Sequence, residues 1–254
     1  MRRVPGPVRR WVLAARARTL PAAIVPVVVG ALSVRPGNIN IARSILAAVV
    51  ALSLQIGTNF ANDYSDGIKG TDDSRVGPFL LTASGFVRKN LVRTMVFAWF
   101  LIEAIAGLVL ALLTSLWLIP IGFSAVLAGW FYTGGPKPYG YFGFGELFVM
   151  IYFGFVATIG TAYVQFQQVP SRTWWLALMC GSMACALLEA NNLRDVAGDI
   201  ESGKKTLAAR LGRVRASWLY VACAVGVAVG AGGALKFGFL FAILYLVPMH
   251  RLVF

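Results

Sequence analysis

Apolar runs of 15 to 20 residues recur along this chain of 254 residues, each close to the roughly 20 that an α-helix needs to cross a bilayer. Eight stretches qualify as candidate spans. They lie near Leu13 to Val34, Ser44 to Ala61, Thr94 to Leu113, Leu116 to Tyr132, Leu147 to Val164, Trp174 to Leu188, Ala216 to Leu235, and from Phe237 to the C-terminus. The runs lack the period-two alternation of a membrane β-barrel, and a helix satisfies its own backbone hydrogen bonds in lipid. The expected fold is therefore all-α, a polytopic transmembrane helical bundle forming a single domain over 1–254, with a pseudo-repeat dividing near 132/133. A composition that is 58% hydrophobic and only 13% charged leaves little material for a separate aqueous domain.

Basic residues set the expected orientation. With the N-terminus inside, the cytoplasmic segments carry 19 Lys and Arg, while the other face carries four: Arg35, Arg43, Arg172 and Lys236. The opening "MRRVPGPVRRW" reads as a retained cytoplasmic arm rather than a signal peptide, because Arg16 and Arg18 interrupt any hydrophobic region and no cleavage site follows. The net charge of +13 is explained by topology and by anionic lipid headgroups, so no nucleic-acid partner is inferred. Cys180, Cys185 and Cys223 fall in spans and read as packing residues, and no CxxC pair is present. His250 sits at the C-terminal end, so the chemistry of this chain has to proceed without an imidazole base.

Nine of the ten acids then fall on the cytoplasmic side, and Glu103 alone lies mid-span, where an interior carboxyl hydrogen-bonded to neighbouring helices is expected. "NDYSDGIKGTDD" (62–73) ends one apolar run, and "NNLRDVAGDIESGKKT" (191–206) ends another. Asp195 and Asp199 are spaced i, i+4, which puts two like charges on one helical face and calls for a cation. Asn62 and Asp66 share that spacing, and Asp72 and Asp73 return after a glycine-bearing loop. Hard oxygen donors of this kind suit Mg²⁺, which is usually held by one or two carboxylates plus substrate phosphates. Calcium fits less well without an EF-hand loop, and zinc less again without His or Cys nearby. The candidate metal ligands are Asp63, Asp66, Asp72, Asp73, Asp195 and Asp199.

Cations are interleaved with these acids: Lys69, Arg75, Lys137, Arg194, Lys204 and Lys205. Carboxylates, Mg²⁺ and a ring of Lys and Arg are what a diphosphate needs, because metal and side chains together offset its charge. A third stretch, "YTGGPKPYGYFGFGE" (132–146), breaks any helix and brings Tyr132 and Lys137 to the same face; Tyr139 and Tyr141 read as interfacial anchors. The diphosphate-binding candidates are Asn62, Lys69, Arg75, Tyr132, Asn191, Arg194 and Lys204, and the catalytic candidates are Asp66, Asp72, Asp195, Asp199 and Lys137.

These motifs, with "RVGP" at 75–78, "TASG" at 82–85, "ARTLPAAIVPVVVG" at 17–30 and "KKTLAARLG" at 204–212, resemble the UbiA-type intramembrane aromatic prenyltransferases. Within them the resemblance is to the dihydroxynaphthoate branch of menaquinone biosynthesis. It implies transfer of a polyprenyl group from its diphosphate to 1,4-dihydroxy-2-naphthoate with loss of CO₂, giving demethylmenaquinone. It also implies two Mg²⁺ ions, a site at the cytoplasmic face of a bacterial cell membrane, and nine helices, of which this chain supplies eight, the last cut short by "VPMHRLVF". Relatives often carry an acid four residues after the first motif Asp; here Gly70 stands there and Asp72 follows, which leaves the choice between Asp72 and Asp73 open. Other aromatic acceptors (hydroxybenzoate, homogentisate, haem) belong to cousins with the same motifs, and a cation-coupled transporter is the alternative from a different class.

Overall fold

The computed structural model describes residues 6–34, 37, 39–70 and 80–235, and among them there is helix and no strand. Eight helices are numbered here in chain order: α1 Pro7–Ala14, α2 Pro21–Leu32, α3 Ile41–Lys69, α4 Lys89–Leu113, α5 Leu118–Phe131, α6 Gly145–Phe166, α7 Ser171–Glu201 and α8 Leu207–Leu235. Five of them (α3, α4, α6, α7 and α8) are long and apolar enough to cross a membrane, and α1 with α2 makes a sixth span bent by 49°. Helix α5 covers the expected Leu116 to Tyr132 span but is shorter, with 14 residues. The eighth expected span, from Phe237 onward, lies outside the described residues.

Exposed side chains on α4 recur at Phe97, Leu101, Ile105, Leu108 and Leu112, three or four residues apart, which marks one lipid-facing stripe. The opposite face of α4 buries Val92, Val96, Phe100 and Glu103. Close helix crossings are made where glycines meet. Gly154 faces Gly181 of α7 so closely that a Cβ on Gly154 would stand 2.7 Å from the Gly181 Cα. Met150–Val156, within α6, is wound as a π-helix at this crossing.

Polar side chains at one end of the bundle close the helix termini. Arg43 donates to the carbonyls of Val164 (2.9 Å), Gln165 (3.2 Å) and Leu113 (3.2 Å), so one guanidinium satisfies the last carbonyls of α4 and α6. Arg172 donates to Ser33 O at 2.6 Å, next to the end of α2. These two basic residues thus have structural partners as well as a place in the charge asymmetry. The opposite end collects the C-termini of α3 and α7, the N-termini of α4 and α8 and the 132–146 connection, and all the described acids other than Glu103 lie there.

Candidate active site

Three segments meet at Asp66. This residue lies in the last turn of α3, before the helix closes on Gly70, whose φ of 71° suits a glycine cap. One oxygen of the Asp66 carboxylate accepts the Tyr141 hydroxyl at 2.6 Å, and the other accepts Lys204 Nζ at 2.8 Å. Tyr141 comes from the glycine-rich connection between α5 and α6, and Lys204 from the turn after α7. The same turn is tied back twice: Lys204 N donates to Asp199 O (2.8 Å) and Lys205 N to Tyr141 O (3.0 Å). The two aspartate motifs, far apart in the chain, are therefore joined through one ammonium group, and both members of that ion pair are buried.

Neighbouring side chains extend the assembly. Lys69 Nζ donates to Thr133 O at 2.7 Å and stands 4.9 Å above the Tyr141 ring, while Lys204 stands 5.2 Å from it. Thr133 Oγ1 donates to Asn62 Oδ1 at 2.8 Å, fixing the amide one turn before Asp66. Asp199 is buried and accepts Thr206 Oγ1 at 3.3 Å. Asp195 is held by the fork of Arg194 at 2.8 and 2.9 Å. Asn191 donates to Leu187 O at 3.0 Å. Tyr132 lies within range of the charges of Glu146, Arg16, Asp66 and Asp199, and its ring meets Tyr139 edge-on.

Several expected roles change. Asp63 does not join the metal candidates at Asp66: its carboxylate is buried and receives Leu81 N at 2.7 Å and Thr82 N at 2.8 Å, so it clamps the turn at 80–84 onto α3. Tyr141 is not an interfacial anchor but a direct partner of Asp66. Tyr139 is not one either; its hydroxyl donates to Ala128 O, its ring stacks on Phe148, and burial pushes its phenol above the ordinary value. Lys137 is exposed and makes no hydrogen bond or ion pair to a described residue. Glu103, expected to be hydrogen-bonded to neighbouring helices, receives no hydrogen bond from any described residue. Asp72, Asp73 and Arg75 lie outside the described residues.

Below the polar cluster opens a cavity of about 710 Å³ between α2, α3, α4, α5, α6 and α7. Asn62, Tyr132, Asn191 and Arg16 line its polar end, and the rest of the wall is mainly aliphatic and aromatic, Phe153 among it. Arg16 reaches the wall from a left-handed backbone conformation (φ 52°) at the break between α1 and α2. Its charge next to an apolar run looked like a topology signal in the sequence; only the bend brings it to the cavity. Among other large side chains, Phe97 stacks on Trp130, Trp99 packs with the Phe60–Phe100 core, and Met150 packs against Gly181.

Oxygen donors alone (Asn62, Asp66, Asp195 and Asp199) are available here for a metal ion, and that set suits Mg²⁺. Among the described residues no three His, Cys, Asp or Glu side chains form a ready-made metal cage. The buried Asp66 carboxylate already needs a cation, and Lys204 supplies one.

Comparison with known proteins gives a consistent set of similarities. A family model described as "UbiA prenyltransferase family" matches residues 23–253. The chain is 48% identical over 212 residues to a 1,4-dihydroxy-2-naphthoate octaprenyltransferase of Mycobacterium tuberculosis, covering 83% of this chain and 73% of that protein. It is 34% identical to the enzyme of that name from Escherichia coli, covering 84% and 71%. Among solved structures, a UbiA homolog from Archaeoglobus fulgidus bound to GPP and Mg²⁺ has the same fold, with a TM-score of 0.70 over 95% of this chain and 87% of that one at 12% identity. A UbiA homolog from Aeropyrum pernix gives a TM-score of 0.67 over 87% and 79% at 17% identity.

Proposed function

The chain belongs to the UbiA prenyltransferase family, and from that premise we propose that it transfers a polyprenyl group from polyprenyl diphosphate to 1,4-dihydroxy-2-naphthoate. The observation that carries the reading is the buried Asp66–Lys204–Tyr141 junction, which ties both aspartate motifs together above an apolar cavity. Such a cavity suits an isoprenoid tail, because each CH₂ withdrawn from water contributes about 0.8 kcal/mol, while the diphosphate stays at the polar end. The M. tuberculosis and E. coli relatives are both named for this acceptor. The protein is an integral, multi-pass membrane protein, and on the basic-residue asymmetry its site faces the cytoplasm.

Asp66, Asp195 and Asp199, together with Asp72 or Asp73, are the residues that would hold Mg²⁺, in our reading as two ions. When bound, Mg²⁺ offsets the negative charge that grows on the departing diphosphate. Lys204, Lys69, Arg194 and Arg16 supply further positive charge at that end, and the sequence adds Arg75 and Lys137 as candidates. Asn62, held by Thr133, and Asn191 and Tyr132 on the cavity wall orient the head of the donor.

In the reaction the allylic C–O bond breaks and its electron pair leaves with the diphosphate. The electron-rich ring attacks the allylic carbon at the ring position bearing the carboxylate, so a C–C bond forms as the ring–carboxylate bond breaks. The electrons of that bond restore the aromatic ring, and CO₂ leaves. No side-chain base is required, and the ring keeps both hydroxyls, which gives demethylmenaquinone in its quinol form.

The test incubates the purified protein in nanodiscs with a polyprenyl diphosphate, Mg²⁺ and each aromatic acceptor, and follows prenylated product and CO₂. Product and CO₂ are expected with dihydroxynaphthoate, lost on EDTA treatment and in Asp66→Ala or Asp195→Ala. Turnover that survives removal of divalent ions, or transfer to a different ring without CO₂, overturns the reading.

A further inference from the structure

Glu103 lies in the middle of α4, is 2% exposed, and receives no hydrogen bond from any described residue, yet it lines the cavity. With Arg16 at the polar end, it is one of two charged side chains on the described cavity wall. Two glycines leave its carboxyl room: a Cβ on Gly122 would stand 3.5 Å from Glu103 Oε1, and one on Gly107 would stand 3.8 Å from it. The Gly107 position also lies 3.9 Å from Val50, which places the carboxyl level with Val50 on α3. Val50 precedes Asp66 by sixteen residues, about 24 Å of helix at 1.5 Å per residue. The carboxyl is thus far below the diphosphate end, on a cavity wall that Leu110, Leu118 and Ile121 also line.

We propose that Glu103 is a chain-length determinant: the donor tail gains affinity with each isoprene unit only until it reaches this carboxyl. An acidic side chain inside a membrane protein is costly and is retained for function more often than for packing. Its hydrogen-bonding capacity, unmet by any described residue, is met by water in the cavity. A hydrocarbon tail that passes it displaces that water and offers nothing in return, so the apolar gain of the added units is offset. Tails too short to reach Val50 never meet this cost.

The inference rests on the prenyl-transfer reading of the site, and its test separates the two. KM is measured in nanodiscs for a donor series from geranyl diphosphate upward, with the wild type, Glu103→Leu and Glu103→Gln. In the wild type KM falls with each added unit and then levels off at the length that reaches Glu103. In Glu103→Leu the fall continues, so that KM for the longest donors is about tenfold below wild type, equivalent to about 1.4 kcal/mol, while geranyl diphosphate is unchanged. Glu103→Gln, which keeps the polarity, retains the break. Should Glu103→Leu not fold, the wild-type profile and the Gln variant still decide. A wild-type KM that falls without a break, or a Leu variant that shifts short and long donors equally, overturns the proposal while leaving prenyl transfer intact. No turnover with any donor overturns the prenyl-transfer reading itself.

Discussion

Asp63 offers the sharpest separation between a metal ligand and a structural clamp. Asp63→Asn keeps one acceptor oxygen but turns the other into an NH₂ group facing a backbone N–H. Leu81 is fully buried and Thr82 is 4% exposed, so water cannot replace the lost acceptor. A hydrogen bond to a charged group contributes about 1.5–3 kcal/mol, and leaving a buried donor unmet costs about 1–3 kcal/mol. One bond is weakened and the other becomes a donor–donor contact, so a loss of about 3 kcal/mol follows. For a chain of this size that lowers Tm by about 6–12 °C. Gly67, one turn later on α3, makes the loss harder to repair, since its Cα packs against Thr82 so closely that a Cβ would lie 2.6 Å from the Thr82 Cβ. The assay is thermal unfolding in nanodiscs with Mg²⁺ and with EDTA. A clamp predicts the same drop in both. An Asn variant with wild-type Tm in EDTA but a weakened stabilisation by Mg²⁺ would refute the argument and return Asp63 to the metal ligands.

Two further substitutions test the junction and the packing. Lys204→Met removes the ammonium bonded to the buried Asp66 carboxylate, and breaking a buried pair costs about 3–5 kcal/mol; the loss in Tm is expected to be large in EDTA and partly recovered by Mg²⁺, and an equal loss in both conditions contradicts the cation exchange at Asp66. Gly154→Val forces side-chain atoms against Gly181 and the Ala177 carbonyl, 2.7 and 3.0 Å from the position of its Cβ. Overpacking of about 1–3 kcal/mol or more is expected as a lower Tm, and a wild-type Tm would show that the α6–α7 crossing yields more readily than the geometry implies.

The fold was legible because lipid imposes a single rule on each span, and a run such as Leu147 to Val164 needs no tertiary knowledge to be assigned. Polar side chains at i, i+4 likewise singled out Asn62–Asp66 and Asp195–Asp199 as candidates, since that spacing is local. What the pattern did not reveal is which atoms meet across the bundle. Tyr141 sits in a stretch of glycines and aromatics with no period, so nothing distinguished its hydroxyl from that of an interfacial tyrosine until the 199–206 turn was placed beside it. Asp63 looked like one acid among four, because its partners are backbone amides eighteen and nineteen residues on, and amides leave no trace in sequence. Arg16 depended on a left-handed residue at a 49° bend. Glu103 was expected to find a donor, and the two glycines that leave it facing the cavity come from other turns and another helix.

The origin of the ammonium group at Asp66 has a consequence for how the two motifs cooperate. Lys204 follows Asp199 by five residues, and its backbone is tied to Asp199, yet its charge is spent on the first motif. A diphosphate brought to this end carries negative charge that competes with Asp66 for that ammonium. If Lys204 turns to the phosphate, the buried Asp66 carboxylate loses the ammonium at 2.8 Å, and a carboxylate in that position favours a replacement cation. Divalent metal delivered with the substrate meets that need, so the arrangement favours taking up donor and metal together rather than either alone. On this logic donor and Mg²⁺ each raise the affinity for the other, as linkage requires, and the coupling between them is smaller in Lys204→Met, where the Lys204 ammonium is not there to be exchanged. Calorimetric titration of Mg²⁺ with and without a non-reactive diphosphate analogue measures that coupling directly; equal coupling in wild type and variant would show that Lys204 only holds the turn in place.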